Sequence, residues 1–190
     1  LKRLLAFSTI GQLAYIVMGI GLSSVLGVTG GILHIVMHAF GKITLFFCAG
    51  AIYVATGKKY ISEMTGLGRV MPLTFLAFFI GSLSIIGIPP TGGFISKLYM
   101  LRGALEADMI GVMLIYLVSS FLNAAYFFPI IIKAFFYRNP EIPDDAPRKE
   151  PPFACLLPPV VTAVISILLF FNFGPFRDLA VMSARYFTGG

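Results

Sequence analysis

At 190 residues, 58% of them hydrophobic and only 12% charged, with a mean hydropathy of +0.93, the chain has a composition that excludes an ordinary water-soluble globular domain and points to an integral membrane protein. The formal net charge of +6 does not describe a nucleic-acid surface, because the basic residues flank apolar segments instead of forming a solvated patch interleaved with aromatics. Cys48 and Cys155 fall inside predicted spans, so they outline no disulfide framework.

The chain opens on Leu1 without a signal-peptide pattern, and Lys2 and Arg3 lead straight into an apolar segment. A first residue other than Met predicts the later part of a longer protein. No linker rich in Gly or Ser divides the sequence, so one membrane domain is expected. The first predicted span runs from Leu4 to about Leu26, with Ser8, Thr9 and Gln12 near its start and glycines at 11, 19 and 21 that suit close helix packing. The second, from about Gly30 to Thr56, carries His34, His38 and Lys42. At helical pitch, residues spaced i, i+4 and i+8 drift only about 80° around the axis, so the three share one face. Lys42 falls near the midpoint of the span, where an ionisable group is costly and usually functional.

The segment from Val70 to Gly87 is apolar but runs into IPPTGG at 88–93, and FISKLYMLRGALEAD after it carries Lys97, Arg102, Glu106 and Asp108. Paired prolines and glycines break the helical hydrogen-bond ladder. The charges make the second stretch a poor lipid-facing span. Residues 70–107 therefore read as one discontinuous helix, broken around Pro89, Pro90, Gly92 and Gly93, with Lys97 shortly after the break. A fourth span covers Met109 to about Tyr137, interrupted by Asn123 and Pro129, and a polar, proline-rich loop follows it. The last span runs from about Phe153 to Phe173, and the tail after Gly174 suits the membrane interface through Phe176, Leu179 and Phe187. On this topology Lys2, Arg3, Lys58, Lys59, Arg69, Arg138, Arg148 and Lys149 lie on one side, against Arg102, Arg177 and Arg185 on the other, which makes the first side cytoplasmic.

Moving a proton through a bilayer requires exchangeable groups within reach of one another. Histidine titrates near neutrality, lysine carries exchangeable ammonium protons, and a discontinuous helix offers free backbone groups at membrane depth. The blander readings are packing histidines, a mere proline kink, and lysines that snorkel, the last of which suits Lys133 and Arg138. A lone HxxxH supplies two metal or haem ligands, with no third at a matching position, and no GxGxxG, Walker motif or Cys cluster is present. No metal, no cofactor and no catalytic redox site is expected in this chain.

Taken together, LKRLLAFSTIGQLAYIVMGIG, the ordered HxxxHxxxK, and PPxxGFxxK at 89–97 resemble the second half of the antiporter-like proton-translocating subunits of respiratory complex I, Mrp-type sodium/proton antiporters and membrane-bound hydrogenases, over about residues 1–137. The resemblance implies an all-α polytopic bundle of about five spans, one discontinuous, forming the second of two inverted repeats plus a trailing helix. It implies a proton-translocation repeat at 1–137, the polar loop at 138–152, and a final transmembrane helix with an interfacial tail at 153–190. Lys42 resembles the central lysine of the hydrophilic axis, His34 and His38 the relay histidines before it, and Lys97 the broken-helix residue beside the outlet. Lys at this last position, where some members have Glu, is more similar to Mrp D-type and distal complex I subunits. The function implied is proton relay within a multisubunit antiporter or redox-driven pump such as an NADH:quinone oxidoreductase, and the first repeat is absent. Implied partners are other membrane subunits, protons and either Na+ or K+, in the lipid bilayer of a bacterial or archaeal cell membrane, with no nucleic acid. A non-conducting structural subunit and a haem- or metal-binding membrane subunit remain the alternatives.

Overall fold

The computed structural model describes residues 1–140, 142–143 and 146–189. Residues 141, 144 and 145 of the predicted polar loop, and Gly190, lie outside the described residues. The regular elements are helical: α1 (Lys2–Gly21), α2 (Val25–Thr56), a 3₁₀ turn at Ile61–Met64, α3 (Leu67–Val70), α4 (Pro72–Ile86), α5 (Gly92–Glu106), α6 (Ile110–Phe136), α7 (Phe153–Phe171) and α8 (Gly174–Thr188). Four of them, α1, α2, α6 and α7, are long and apolar enough to cross a membrane.

The boundary between the first two spans lies earlier than expected. α1 ends at Gly21 and α2 starts at Val25, so the break falls at 22–24 and not between Leu26 and Gly30. Ser23 takes a positive φ of 53°. Ser24 then caps α2, its Oγ accepting from the Gly27 N–H at 3.1 Å. α2 closes on Gly57, whose φ of 73° and N–H bond to the Tyr53 carbonyl form a left-handed cap.

The discontinuous helix is present as α4 and α5. Pro72 opens α4, where its missing N–H costs nothing. Gly87, at φ 88°, ends it by donating to the Leu83 carbonyl at 2.8 Å. Pro89 and Pro90, joined by a cis peptide bond, have no N–H to continue the ladder. The chain resumes helical form at Gly92 after Thr91, whose Oγ1 donates to the Ile88 carbonyl at 2.7 Å.

α2 is the central element and packs against α1, α4, α5, α7 and α8. Against α5 the two backbones nearly touch. A Cβ at Gly103 would lie 2.3 Å from the Gly27 nitrogen, and one at Gly30 would lie 2.6 Å from the Met100 nitrogen. This is the small-residue contact that membrane helices use in place of a hydrophobic driving force. Of the three glycines in α1, only Gly19 makes such a contact, 3.2 Å from the Gly31 Cα; Gly11 and Gly21 face open space.

The largest apolar core joins α2, α4 and α6 through Leu45, Cys48, Phe75, Phe78, Phe127 and Ile130. A second holds Leu33 and Met37 of α2 against Leu169 of α7 and Ala180 of α8. Phe176, Leu179 and Phe187 of α8 are exposed. The basic residues assigned to one side gather at one end of the bundle. Lys2 and Lys59 both lie over the Tyr53 ring, at 5.9 and 5.0 Å. Arg69 donates to the Phe135 carbonyl at 3.2 Å, and the Lys149 N–H to the Val70 carbonyl at 2.8 Å. Arg102 sits at the other end, beside the Gly103–Gly27 crossing.

Candidate functional site

His34, His38 and Lys42 occupy the buried face of α2, and Lys97 is buried in the second turn of α5. His34, Lys42 and Lys97 retain only 1%, 5% and 5% of their exposure, so each polar head must find its partners inside the bundle. The His34 and His38 rings lie 5.8 Å apart and nearly parallel. Lys42 donates from Nζ to Ser8 Oγ at 2.8 Å and to the Leu5 carbonyl at 3.4 Å, both on α1.

Lys97 spans the helix break. Its Nζ donates to the Ile85 carbonyl at 2.8 Å, to the Ile86 carbonyl at 3.0 Å and to Ser120 Oγ of α6 at 3.1 Å. The same ammonium lies 4.5 Å from the centre of the Tyr15 ring, a cation–π contact on its remaining side. Gly87 makes room for the stem, since a Cβ there would lie 2.6 Å from Lys97 Cδ. Gly92 and Gly93 admit close neighbours in the same way: a Cβ would lie 2.5 Å from Met37 Sδ at the first and 1.9 Å from the Ser84 carbonyl oxygen at the second.

The polar stripe is connected sideways, not along α2. Among the described residues no hydrogen bond joins His34 to His38 or His38 to Lys42, and His38 Nε2 is buried without a partner. Instead Ser8, which accepts from Lys42, lies 2.8 Å from the Tyr126 hydroxyl, and Tyr126 also bonds Asn123 Oδ1. Gln12 donates from Nε2 to that same Asn123 oxygen at 3.3 Å and presents Oε1 to His34 Nε2 at 3.1 Å. On its other edge His34 Nδ1 meets Ser96 Oγ at 2.8 Å. A second cluster ties Tyr15 to Ser120 at 3.2 Å, and Ser120 accepts from Lys97. The Tyr15 ring lies 5.8 Å from the His34 ring, which brings the two clusters together.

Ser8, Gln12, Tyr15, Ser96, Ser120, Asn123 and Tyr126 thus join the four predicted residues. Their sequence signal is spacing: Ser8 and Gln12 stand four apart on α1, and Ser120, Asn123 and Tyr126 three apart on α6. A cavity of about 750 Å³ lies along α1 and α6, lined by Arg3 and Ser62 near the basic end and by Ser8, Gln12, Asn123 and Tyr126 further in. Chemically the arrangement brings together two lysines held by neutral acceptors and two histidines, of which His34 is hydrogen-bonded on both ring nitrogens; all four side chains carry exchangeable protons. Among the described residues no group of three His, Cys, Asp or Glu side chains is placed to hold a metal ion.

The family model described as "NADH:quinone oxidoreductase/Mrp antiporter, TM" matches residues 1–123. NADH-quinone oxidoreductase subunit N of Desulforudis audaxviator is 42% identical over 154 residues, 81% of this chain and 31% of that protein. Na(+)/H(+) antiporter subunit A1 of Staphylococcus haemolyticus is 31% identical over 208 residues, 96% of this chain and 25% of that protein. The chain thus spans about a third or less of the length of these curated relatives. A subunit in the structure of the Mrp complex from Dietzia sp. superimposes with a TM-score of 0.87 at 25% identity, over 97% of this chain and 42% of that subunit. With the matched model covering most of its length, this chain is an integral membrane protein that belongs to the NADH:quinone oxidoreductase/Mrp antiporter transmembrane family.

Proposed function

We propose that residues 1–137 are the proton-translocating second half of an antiporter-like subunit, followed by a polar loop at 138–152 and a final membrane helix with an interfacial tail at 153–190. The subunit works among other membrane subunits of a multisubunit sodium/proton antiporter or a redox-driven pump. His34, His38, Lys42 and Lys97 are its proton-exchanging groups, and the break at Pro89, Pro90, Gly92 and Gly93 is where the route meets free backbone carbonyls.

The observation that carries this reading is the pair of buried ammonium groups that, among the described residues, have no carboxylate partner. Lys42 is held by Ser8 and the Leu5 carbonyl, and Lys97 by Ser120 and two carbonyls, all neutral acceptors. An ammonium buried at membrane depth is expensive and marks a functional site by default, and its hydrogens are exchangeable. The cavity that runs from Arg3 to Ser8 supports a route from the basic end to the hydroxyl that touches Lys42.

One observation favours a non-conducting structural subunit instead. Each hydrogen of the Lys97 ammonium has an acceptor, two of them carbonyls at the end of α4, so this lysine also staples the broken helix. Proton movement by the full-length protein in its complex, reconstituted in proteoliposomes with a pH-sensitive dye, separates the readings. The Lys42→Ala variant is expected to assemble and to lose proton movement, whereas wild-type movement in that variant would favour the structural role.

A further inference from the structure

The two carboxamides beside His34 have one hydrogen-bonding arrangement each. Asn123 donates from Nδ2 to the Ser119 carbonyl at 2.7 Å, which turns its Oδ1 away from that carbonyl and toward α1. Gln12 can meet an amide oxygen only with its own N–H group, and does so from Nε2 at 3.3 Å. Its Oε1 is then left facing His34 Nε2 at 3.1 Å. Since an amide oxygen only accepts, His34 Nε2 has to carry a hydrogen. In a neutral imidazole the other nitrogen is then a bare acceptor. That atom, Nδ1, lies 2.8 Å from Ser96 Oγ on α5.

We propose that Asn123 and Gln12 are positioning residues that lock neutral His34 in its Nε2–H form and turn Nδ1, the atom that accepts a proton, toward Ser96 and the broken helix. The inference rests on the reading of this chain as part of a proton pathway. Ser96 suits the role because its hydroxyl has two acceptors. When His34 is neutral, Ser96 donates to Nδ1. When both ring nitrogens carry hydrogens, it turns to the Gly93 carbonyl, 3.1 Å away, and accepts from Nδ1–H.

The same node insulates His34 from Lys42. The arm from Lys42 through Ser8 and Tyr126 ends on Asn123 Oδ1, and the arm from His34 through Gln12 ends on the same atom. Carboxamides hold no proton to pass on at physiological pH, so this chain of contacts orients His34 without short-circuiting it to Lys42. A transfer between the two has to pass by another path, and His38, stacked on His34 with its Nε2 unpartnered, lies beside that gap.

Solid-state NMR of the full-length protein in lipid vesicles, with ¹⁵N-labelled histidine and His34 identified by loss of its signals in His34→Gln, reads the tautomer directly. Neutral His34 is expected to show a protonated Nε2 and a bare Nδ1, favoured about tenfold or more, the scale of a buried hydrogen bond lost or kept. Asn123→Leu and Gln12→Leu should each bring the two tautomers close to parity. A wild-type spectrum dominated by Nδ1–H, or by a doubly protonated ring at neutral pH, would overturn the proposal without recourse to either variant. So would an unchanged tautomer ratio in both variants. Absence of the Nε2–H preference in the wild type alongside an inactive Lys42→Ala variant would remove the lock and leave the pathway; a wild-type preference lost in Asn123→Leu and Gln12→Leu, alongside an active Lys42→Ala variant, would do the reverse.

Discussion

Lys97 donates from Nζ to the Ile85 carbonyl at 2.8 Å, so a side chain of α5 caps the end of α4 across the break that separates them. The carbonyls in the last turn of a helix lack intrahelical donors, and in lipid no water replaces them. Replacing Lys97 with Met keeps the stem and leaves the Ile85 and Ile86 carbonyls unserved. At about 1–3 kcal/mol for each of the two buried carbonyls left unsatisfied, Lys97→Met should destabilise the full-length protein by about 2–6 kcal/mol. Thermal unfolding in detergent checks this, and an unchanged midpoint would remove Lys97 as a cap.

The opposite end of α4 is held by a residue far away in sequence. Glu150 accepts from the Leu73 N–H at 2.6 Å and the Thr74 N–H at 3.4 Å through one oxygen, and from Thr74 Oγ1 at 2.6 Å through the other. It acts as a helix N-cap delivered by the loop before α7. Glu150→Ala should cost about 1–2 kcal/mol, the usual range for a lost N-cap, measured in the same unfolding assay. A neutral result would mean that the loop does not anchor α4.

Glycine positions on the two helices that flank the polar site should respond very differently to a methyl group. A Cβ at Gly93 would lie 1.9 Å from the backbone oxygen of Ser84, which cannot swing aside, whereas one at Gly11 meets nothing within 4 Å. Gly93→Ala should therefore destabilise by about 3 kcal/mol, the upper range for overpacking. Gly11→Ala should be neutral or slightly stabilising through helix propensity. Equal effects would contradict the close approach of α5 to α4.

Glu63, outside the spans, accepts from the Lys59 N–H at 3.0 Å and the Tyr60 N–H at 2.8 Å. These backbone bonds favour its charged form and hold its pKa below the ordinary 4.5. For a carboxylate shifted downward, the stabilisation is present above the unfolded pKa and is lost as pH falls through the folded one. Amide exchange at Lys59 and Tyr60, corrected for intrinsic rates, should thus show protection at neutral pH that disappears on the acid side of 4.5. Glu63→Gln should weaken that protection at neutral pH.

His34, His38, Lys42 and Lys97 were legible in the sequence because basic groups stand out against an apolar background where each one is costly. IPPTGG was legible as a break because proline lacks the donor a helix needs. Ser8, Gln12, Asn123 and Tyr126 were not legible as a connected set. Neutral polar residues are tolerated in membrane helices for ordinary packing, and their connection arises only when α1 and α6 are brought against α2, which no single helix's periodicity expresses. The turn at Leu22–Ser24 is hidden for another reason: three residues between two long apolar runs vanish in a hydropathy average, and only the positive φ at Ser23 and the cap at Ser24 mark it.

The most direct test of proton exchange at Lys42 is a substitution that keeps its hydrogen bonds and removes its ability to give up a proton. Arginine can still donate to Ser8 and the Leu5 carbonyl, but its guanidinium stays protonated in proteins. In proteoliposomes carrying the full-length Lys42→Arg protein in its complex, dye-detected proton movement should fall at least tenfold while assembly is retained. Wild-type proton movement in that assembled variant would show that Lys42 does not exchange a proton.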